Sequence, residues 1–453
     1  MTRQAAEWRR LPGFVHSTRR TPTSGSSGRA VCDLWSACRP LGRHVGEAGV
    51  DARPPVMIED TSKQSIGSAM VSSKTSHLFS QGTWVDHQAT LQLGKSAEFP
   101  GMVHVFGMPD LHVGKVGPVG AAFHSVDVIY PELVGGDIGC GMHLGATDIP
   151  ARGHAVQKRL RRLGSIDEPW SGDTRELAAS HDLDESRYER GLGTIGGGNH
   201  FAELQVVHEI ADAEAASRIG INPDFALVLI HSGSRGLGQS VLESHLGESA
   251  GLGRAVPADS NAGRSYIAGH EQARRFARAN RELIAHRFAE GLGSKSSPLL
   301  DVGHNFLEQR EIGGARTWIH RKGAAPSDRG PVVIPGSRGT WSFVVEPLGD
   351  GSRNGFSLAH GAGRKIPRGH CREKFMDSYT REELLSVNDK KLDIKSHVVC
   401  GDRDLVFEEH PKAYKDIRQV IGDMVDLGII KVVAVLKPVL TYKTSGTADD
   451  GDG

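Results

Sequence analysis

Ten residues, Val134-Gly135-Gly136-Asp137-Ile138-Gly139-Cys140-Gly141-Met142-His143, constrain this chain more than any other stretch. Glycine lets a backbone take tight or left-handed turns, so a carboxylate and a thiol three residues apart can be aimed at one point. That is metal-site chemistry. A thiolate can bridge two cations, and a centre built on Asp137 and Cys140 needs further donors, for which neutral imidazoles are the suitable type. Three glycine-rich islands offer them: Asn199-His200 after Gly196-Gly197-Gly198, His231-Ser232-Gly233-Ser234-Arg235-Gly236, and Asp301-Val302-Gly303-His304-Asn305. Any one of these histidines alone reads better as a hydrogen-bonded structural residue. Their shared setting favours ligands. A fourth island, Ser357-Leu358-Ala359-His360-Gly361-Ala362-Gly363-Arg364, offers another ligand or a neutral imidazole nucleophile toward phosphorus, with Arg364 beside it to steady phosphate charge.

The chain is 453 residues long and 38% hydrophobic, enough for a sizeable core, and its 54 Lys and Arg balance 54 Asp and Glu. A broadly basic nucleic-acid coat is therefore excluded, and any polyanion must be met locally. No stretch approaches the roughly 20 apolar residues of a membrane span. The five cysteines are odd in number and thinly spread, which argues against a disulfide framework and for a reducing compartment, the cytoplasm by default. Cys371 and Cys400 read as structural.

Residues 1 to 69 form an Arg-rich extension, with nine Arg and no Lys in the first 56, expected to be disordered. A start at Met57 or Met70 would remove most or all of it. Residues 70 to 446 are expected to form one globular domain, and 447 to 453 a polar tail. Apolar runs at 103–107 and 120–123 are strand-like. Between them Met108-Pro109-Asp110-Leu111-His112-Val113-Gly114-Lys115 reads as a loop, whose Asp110 and His112 are candidates for orienting ligating imidazoles. Residues 154 to 190 read as mostly helical and charged. The runs Leu227-Val228-Leu229-Ile230 and Leu299-Leu300 predict strands ending on His231 and His304. Residues 264 to 287 predict a long helix whose Arg274, Arg275, Arg278, Arg281 and Arg287 either track an RNA backbone or form a solvated face. A strand pair is expected around Gly313-Gly314, after which Arg321 and Lys322 suit an anion, and Val332-Val333-Ile334 predicts a strand running into a phosphate-type loop at 335–339.

Taken in order, Met-Pro-Asp-x-His at 108–112, Gly-Asp-Ile-Gly-Cys-Gly at 136–141, Gly-Asn-His-Phe at 198–201, His-Ser-Gly-Ser-Arg-Gly at 231–236, His-Arg-Lys-Gly-Ala at 320–324, Pro-Gly-Ser-Arg-Gly at 335–339 and His-Gly-Ala-Gly-Arg at 360–364 resemble the RtcB family of RNA ligases. The resemblance covers residues 75 to 443. It implies an α+β fold, a single globular domain with mixed and antiparallel sheets around a dinuclear metal site and flanking helices. It also implies two Mn²⁺ ions, one held by Asp137, Cys140 and His200 and the other by Cys140, His231 and His304. Zinc would bind such a donor set more tightly, so manganese comes from the resemblance alone. GTP would lie along Asn199, His200, Phe201, Ala202 and Glu203, His304 and Asn305, Pro335, Gly336, Ser337 and Arg338, Ser342, and His360, Gly361, Ala362 and Gly363, with Lys443 reading guanine. His360 would carry GMP, with Arg364 as its catalytic companion. The implied reaction joins RNA 3′-phosphate or 2′,3′-cyclic phosphate ends to 5′-hydroxyl ends.

Gly139 before Cys140 and Lys115 after the Met-Pro-Asp motif resemble the release-factor-H-coupled branch, which implies RNA repair and a release-factor homologue as partner of a monomer. Arg338 stands where the family pattern has an apolar residue. The competing readings are a metal-dependent phosphoesterase that opens cyclic phosphates without GTP, and a noncatalytic RNA-binding protein with structural metals.

Overall fold

The strand expected before His231 forms as Phe225–Ser232, buried from Ala226 to Ser232. Such continuous burial means both faces of the strand are covered. In this computed structural model, which describes residues 74–184, 191–246 and 254–446, that strand lies inside a nine-stranded sheet. The main path runs Val332–Ile334, Ser342–Pro347, Ile430–Thr444, Phe201–Ile210, Phe225–Ser232, Gly141–Pro150, Ser297–Gly303. Ile394–Cys400 pairs parallel with Ile430–Thr444, and Ser386–Asp389 pairs with Ile394–Cys400. A second sheet of five strands runs Thr75–His77, Met102–His112, Val119–Val126, Ala315–Lys322, Asn305–Ile312. The described residues thus make an α+β domain of mixed sheets and helices. The expectations for residues 1 to 69 and for the tail at 447 to 453 lie outside them.

Sheet register explains why sequence islands far apart meet. Gly141 pairs with Ser232 on one side and Gly303 on the other, and His231 faces Phe201 and Met142. Cys140, His200 and His304 each stand one residue beyond these paired positions, so four donors gather at one end of four adjacent strands.

The long helix spans Asn261–Gly291, with the Ser260 side chain accepting from the Gly263 N–H at its start. Its Ile284, Ala285, Phe288 and Ala289 pack against Ala202, Leu204, Val228 and Ile230 of the large sheet. This burial decides the fate of the arginines. Arg281 and Arg287 are buried, and Arg274 and Arg275 pair with Glu271, so the helix is not an RNA-tracking stripe. Residues 154 to 184 hold only the short helices Val156–Leu160 and Arg175–Ser180, because Gly164, Pro169 and Gly172 interrupt the charged run. Of the expected loop at 108–115, residues 113–115 lie outside any strand, but 108–112 are the far end of the strand Met102–His112, bulged between Gly107 and His112, where proline is tolerated inside a sheet. Among the described residues no helix is long and apolar enough to cross a membrane.

Candidate metal centre and its cavity

The donors predicted from the islands converge. Asp137, Cys140 and His200 form one group and Cys140, His231 and His304 another, with the ligand atoms of each group within 4.8 Å of one another. Cys140 Sγ lies 3.2 Å from His231 Nε2 and 3.5 Å from His200 Nε2. His200 Nε2 is 3.1 Å from Asp137 Oδ2, and His231 Nε2 is 3.2 Å from His304 Nε2. The far ring nitrogens are tied back, His200 Nδ1 to the Ile195 carbonyl at 3.1 Å and His231 Nδ1 to the Asn199 carbonyl at 3.2 Å, which turns each Nε2 toward the centre. Gly233 is indispensable here, because a Cβ on it would collide with the Asp137 carboxylate.

Burial, reinforced by neighbouring imidazoles, holds His231 and His304 well below the ordinary histidine value. Both rings are therefore neutral, the form that ligates. Burial pushes the Asp137 carboxyl up, but the His200 imidazole outweighs it and keeps the group below the usual carboxylate range. Burial and the adjacent Asp137 carboxylate push the Cys140 thiol well up. Only a cation at this point would make it a thiolate, the ligating form. A buried thiol, a carboxylate and three imidazoles suit two divalent cations that share Cys140.

The long helix fixes this arrangement from behind. Asn280 Nδ2 donates to the Thr194 and Gly233 carbonyls and to Ser232 Oγ, while its Oδ1 accepts from the Gly193 N–H. Arg281 donates to Asp301 through Nε at 2.9 Å and Nη2 at 2.6 Å, and through Nη1 to the carbonyls of Gly139 at 2.6 Å and Ser232 at 3.1 Å. Those two carbonyls flank Cys140 and His231. The helix can come this close because Gly139, at φ +76°, has no Cβ to strike Ala277 and the Arg274 backbone.

His360 sits beside the centre, its ring centroid 4.8 Å from that of His304. Its Nδ1 is 2.6 Å from Asp110 Oδ2, and its backbone N–H donates to the same oxygen at 3.1 Å. The Nδ1 contact is electrostatic, since that atom has no well-directed hydrogen-bond partner. Asp110 is itself held in place: Lys415 Nζ donates to the carbonyls on either side of it, Pro109 at 3.0 Å and Leu111 at 2.6 Å. Asp110 thus orients His360 and not a member of the two donor groups. His112 stacks on His360 with centroids 6.4 Å apart, and burial lowers it to about 4.

A cavity of about 710 Å³ opens in front of these groups, a volume suited to a nucleotide-sized ligand. Its wall includes Asn199, Phe201, Glu203, His304, Asn305, Pro335 to Arg338, His360 to Gly363 and Lys443, all expected from the sequence. Seven Lys and Arg side chains against four carboxylates line it, which concentrates positive charge locally in a chain with no net charge. Three expected contacts are not in the wall: His200, which is taken up by the donor group with Asp137 and Cys140, Ala202 and Ser342. Ala202 points away because neighbours Phe201 and Glu203 point in, and alternate residues of a strand face opposite sides. Ser342 is buried within the sheet, its Oγ accepting from Gln205.

Three cations depart from expectation. Arg364 reaches the wall, but its guanidinium is bound to Glu409 Oε1 at 3.0 Å, the Tyr414 hydroxyl at 2.9 Å and the Glu408 carbonyl at 2.6 Å, so a second group already holds its charge. Arg321 is fully buried on Glu308 and Ser357 and meets no anion from outside, whereas Lys322 lines the cavity and donates to the Val134 carbonyl. Arg338 is 5% exposed, and only its Nη2 has a partner, the Val406 carbonyl at 2.9 Å.

Sequence reasoning missed Glu409 and Tyr414. Burial pushes Glu409 up, but Lys443, Arg368 and Arg364 bring it down to about 2. Lys443 Nζ is 3.4 Å from its Oε2. The stretch Glu408-Glu409-His410-Pro411-Lys412-Ala413-Tyr414-Lys415 is rich in titratable groups, but no glycine marks it as a site.

The family model described as tRNA-splicing ligase RtcB matches residues 92–165 and 154–444. RNA-splicing ligase RtcB2 of Escherichia coli is 44% identical over 367 residues, covering 81% of this chain and 95% of that protein. The tRNA-splicing ligase RtcB of Methanococcus maripaludis is 30% identical, covering 78% of this chain and 90% of its own. RNA-splicing ligase RtcB of Mycobacterium tuberculosis is also 30% identical, covering 77% and 99%.

Proposed function

The chain belongs to the RtcB family and is an RNA ligase, and from that premise we propose that it seals broken RNA in a GTP- and manganese-dependent reaction through guanylylated His360. The observation that carries this reading is His360, held by Asp110 on the wall of the same cavity that the two donor groups sharing Cys140 face.

In this reading Asp137, Cys140 and His200 would hold one Mn²⁺ and Cys140, His231 and His304 the other. The ions, when bound, supply positive charge to the reacting phosphates. His360 Nε2 attacks the α-phosphorus of GTP, forming a P–N bond as the bond to pyrophosphate breaks. Asp110 fixes the ring so that Nε2 carries the lone pair and the developing imidazolium is stabilised. Asn199, Phe201 and Glu203 hold the nucleoside side of the cavity, with Lys443 reading the base and the loop from Pro335 to Arg338 closing it.

A 2′,3′-cyclic end is first opened by water to a 3′-phosphate. An oxygen of that phosphate displaces His360 and takes up GMP, giving RNA-3′-pp-5′-G. The 5′-hydroxyl of the second end then attacks the 3′-phosphorus and GMP leaves. Arg364, engaged with Glu409, acts by shaping the nucleotide cavity as well as by its charge. The resemblance of Gly139 and Lys115 to the release-factor-H-coupled branch supports a repair role, and with it a release-factor homologue as partner of a monomeric, cytoplasmic enzyme.

Incubation with Mn²⁺ and α-labelled GTP tests the proposal. An acid-labile, alkali-stable protein label that His360→Ala abolishes is the expected result. Cyclic-phosphate turnover without GTP and without any label would point to a phosphoesterase instead, and no label with any divalent metal would refute the ligation mechanism.

A further inference from the structure

Asp110 holds two imidazoles rather than one. Its carboxylate lies 2.6 Å from His360 Nδ1, and its main-chain carbonyl lies 2.8 Å from His112 Nδ1. A carbonyl can only accept, so His112 Nδ1 carries the proton and Nε2 carries the lone pair. The two rings are within 18° of parallel, each with Nδ1 turned to Asp110 and Nε2 therefore on its far side. His112 is half-buried in the cavity wall, and its Nε2 has no partner among the described residues. That atom is open to the cavity and not sealed in the core. Burial brings the ring down to about 4, so at neutral pH it does not take a second proton and turn from acceptor into donor. Beside the attacking histidine stands an atom that accepts hydrogen bonds and cannot give them.

The group that donates to it follows from chemistry and from the shape of the cavity. Phosphate oxygens are acceptors and would set lone pair against lone pair, so His112 is no part of the phosphate-binding charge. On the nucleoside side of the wall Glu203, Thr441 and Lys443 are buried, whereas past His112 the wall is open, with Val113 42% exposed and Lys115 exposed as well. A nucleotide fits whole into about 710 Å³, but an RNA strand does not and has to enter over the open side. Two RNA hydroxyls then approach the reacting phosphate, the 2′-hydroxyl of one end and the 5′-hydroxyl of the other. The 2′-hydroxyl is fixed by its own ribose ring. The 5′-hydroxyl swings about an exocyclic bond and has to be aimed, which a fixed acceptor does.

We propose that His112 is a specificity-determining residue, whose Nε2 accepts a hydrogen bond from the 5′-hydroxyl of the incoming RNA strand, aiming its oxygen at the activated 3′-phosphate and turning away 5′-phosphorylated ends. The inference rests on the ligation reading given above, but it concerns binding of the second strand and not the covalent steps. One residue, Asp110, thereby sets both the imidazole that carries the nucleotide and the imidazole that receives the strand.

The test is equilibrium binding of short RNA strands to the full chain with Mn²⁺, the strands differing only at the 5′ end: hydroxyl, 5′-deoxy (no oxygen) and phosphate. A 3′-phosphate strand, with and without its terminal 2′-hydroxyl, serves as the second arm. His112→Leu keeps much of the ring's bulk without the acceptor, His112→Gln returns an acceptor, and thermal unfolding of each ligand-free variant reports structural damage. The wild type should bind the 5′-hydroxyl strand about 10- to 100-fold more tightly than the 5′-deoxy strand, the range for leaving one enclosed polar group unpaired. In His112→Leu that ratio should shrink toward one, the preference over the 5′-phosphate strand should shrink with it, and His112→Gln should recover part of both.

A wild type that does not distinguish hydroxyl from 5′-deoxy ends would overturn the inference whatever the variants do. So would a His112→Leu chain that weakens all strands equally, the mark of a merely structural ring, or one that keeps the full wild-type ratio. If His112→Leu abolishes the penalty for the missing 2′-hydroxyl instead, the acceptor serves the other strand and the assignment fails. Strand binding needs no covalent adduct, so a wild type that reads 5′ ends but takes no label from GTP sinks the ligation mechanism and leaves this assignment standing. A wild type that binds no strand sinks both.

Discussion

Replacing Arg281 with methionine should damage the metal centre without touching a metal ligand. The side chain is 3% exposed and makes four hydrogen bonds, two to Asp301 and one each to the Gly139 and Ser232 carbonyls. After Arg281→Met, Asp301, 13% exposed, keeps His143 Nδ1 at 3.5 Å as its remaining side-chain partner. Breaking a buried ion pair by removing one partner costs about 3–5 kcal/mol. Two orphaned carbonyls add about 1 kcal/mol each. The total, about 5 kcal/mol or more, is a large part of the stability of an ordinary domain. The pH dependence has a definite sign. Burial raises the Asp301 carboxyl, but Arg281 and His143 outweigh it and hold it below the usual range. Its contribution is therefore present above the ordinary carboxylate value and lost as pH falls through the lower folded value. In the variant the folded value rises, so acid unfolding should begin at higher pH. Denaturant unfolding of metal-free protein measures the first effect, and Mn²⁺ titration should show affinity down about 10- to 100-fold, as for loss of other groups that orient ligands. Adding Asp301→Asn should restore much of the stability but not the metal affinity. A variant that loses less than about 1 kcal/mol and binds metal like the wild type would refute the role given to Arg281.

Cys140→Ser should weaken both metal sites whereas His200→Ala weakens mainly one; titrations in which Cys140→Ser leaves one site intact would exclude the shared sulfur. Asp110→Asn should leave GTP binding near normal and slow labelling of His360 by about 100-fold or more, measured in single-turnover adduct formation. Burial raises Glu203 to about 7 despite hydrogen bonds from Thr441 and Gln205. A raised carboxylate value means the folded state holds the proton longer, so stability falls as pH rises from about 4.5 to about 7. Glu203→Gln should flatten that slope by about 3 kcal/mol across the interval, read from denaturant midpoints at pH 5 and pH 8. Chelating the metal should lower Tm, and added Mn²⁺ should restore it in a concentration-dependent way.

The donors of the centre were legible because each was marked twice, by chemistry and by glycine. Cys140, His200 and His304 each stand one residue outside a strand, His231 is the last residue but one of its strand, and Asp137 lies in the glycine loop before Cys140. Strand runs such as Leu227-Val228-Leu229-Ile230 fixed the approach to the site, and the observed strand contains them. What the sequence withheld was the direction in which side chains point. Arg281 and Arg287 sit in a basic run that looks like a solvated stripe, yet a 31-residue helix buries one face, and they lie on it. Ala202 looked like a nucleotide contact beside Phe201 and Glu203, but the strand's alternation turns it away. Arg364 was legible as a cation near His360, while the group that engages it, Glu409, comes from a segment without a recognisable mark.

The shared register of the four strands has a further consequence. Cys140, His200, His231 and His304 hang from the ends of neighbours laced together by main-chain hydrogen bonds, so the candidate centre has no hinge of its own at this wall. Inserting or deleting one residue in any of these strands would turn a donor to the opposite face of the sheet. These strands must therefore keep their residue count.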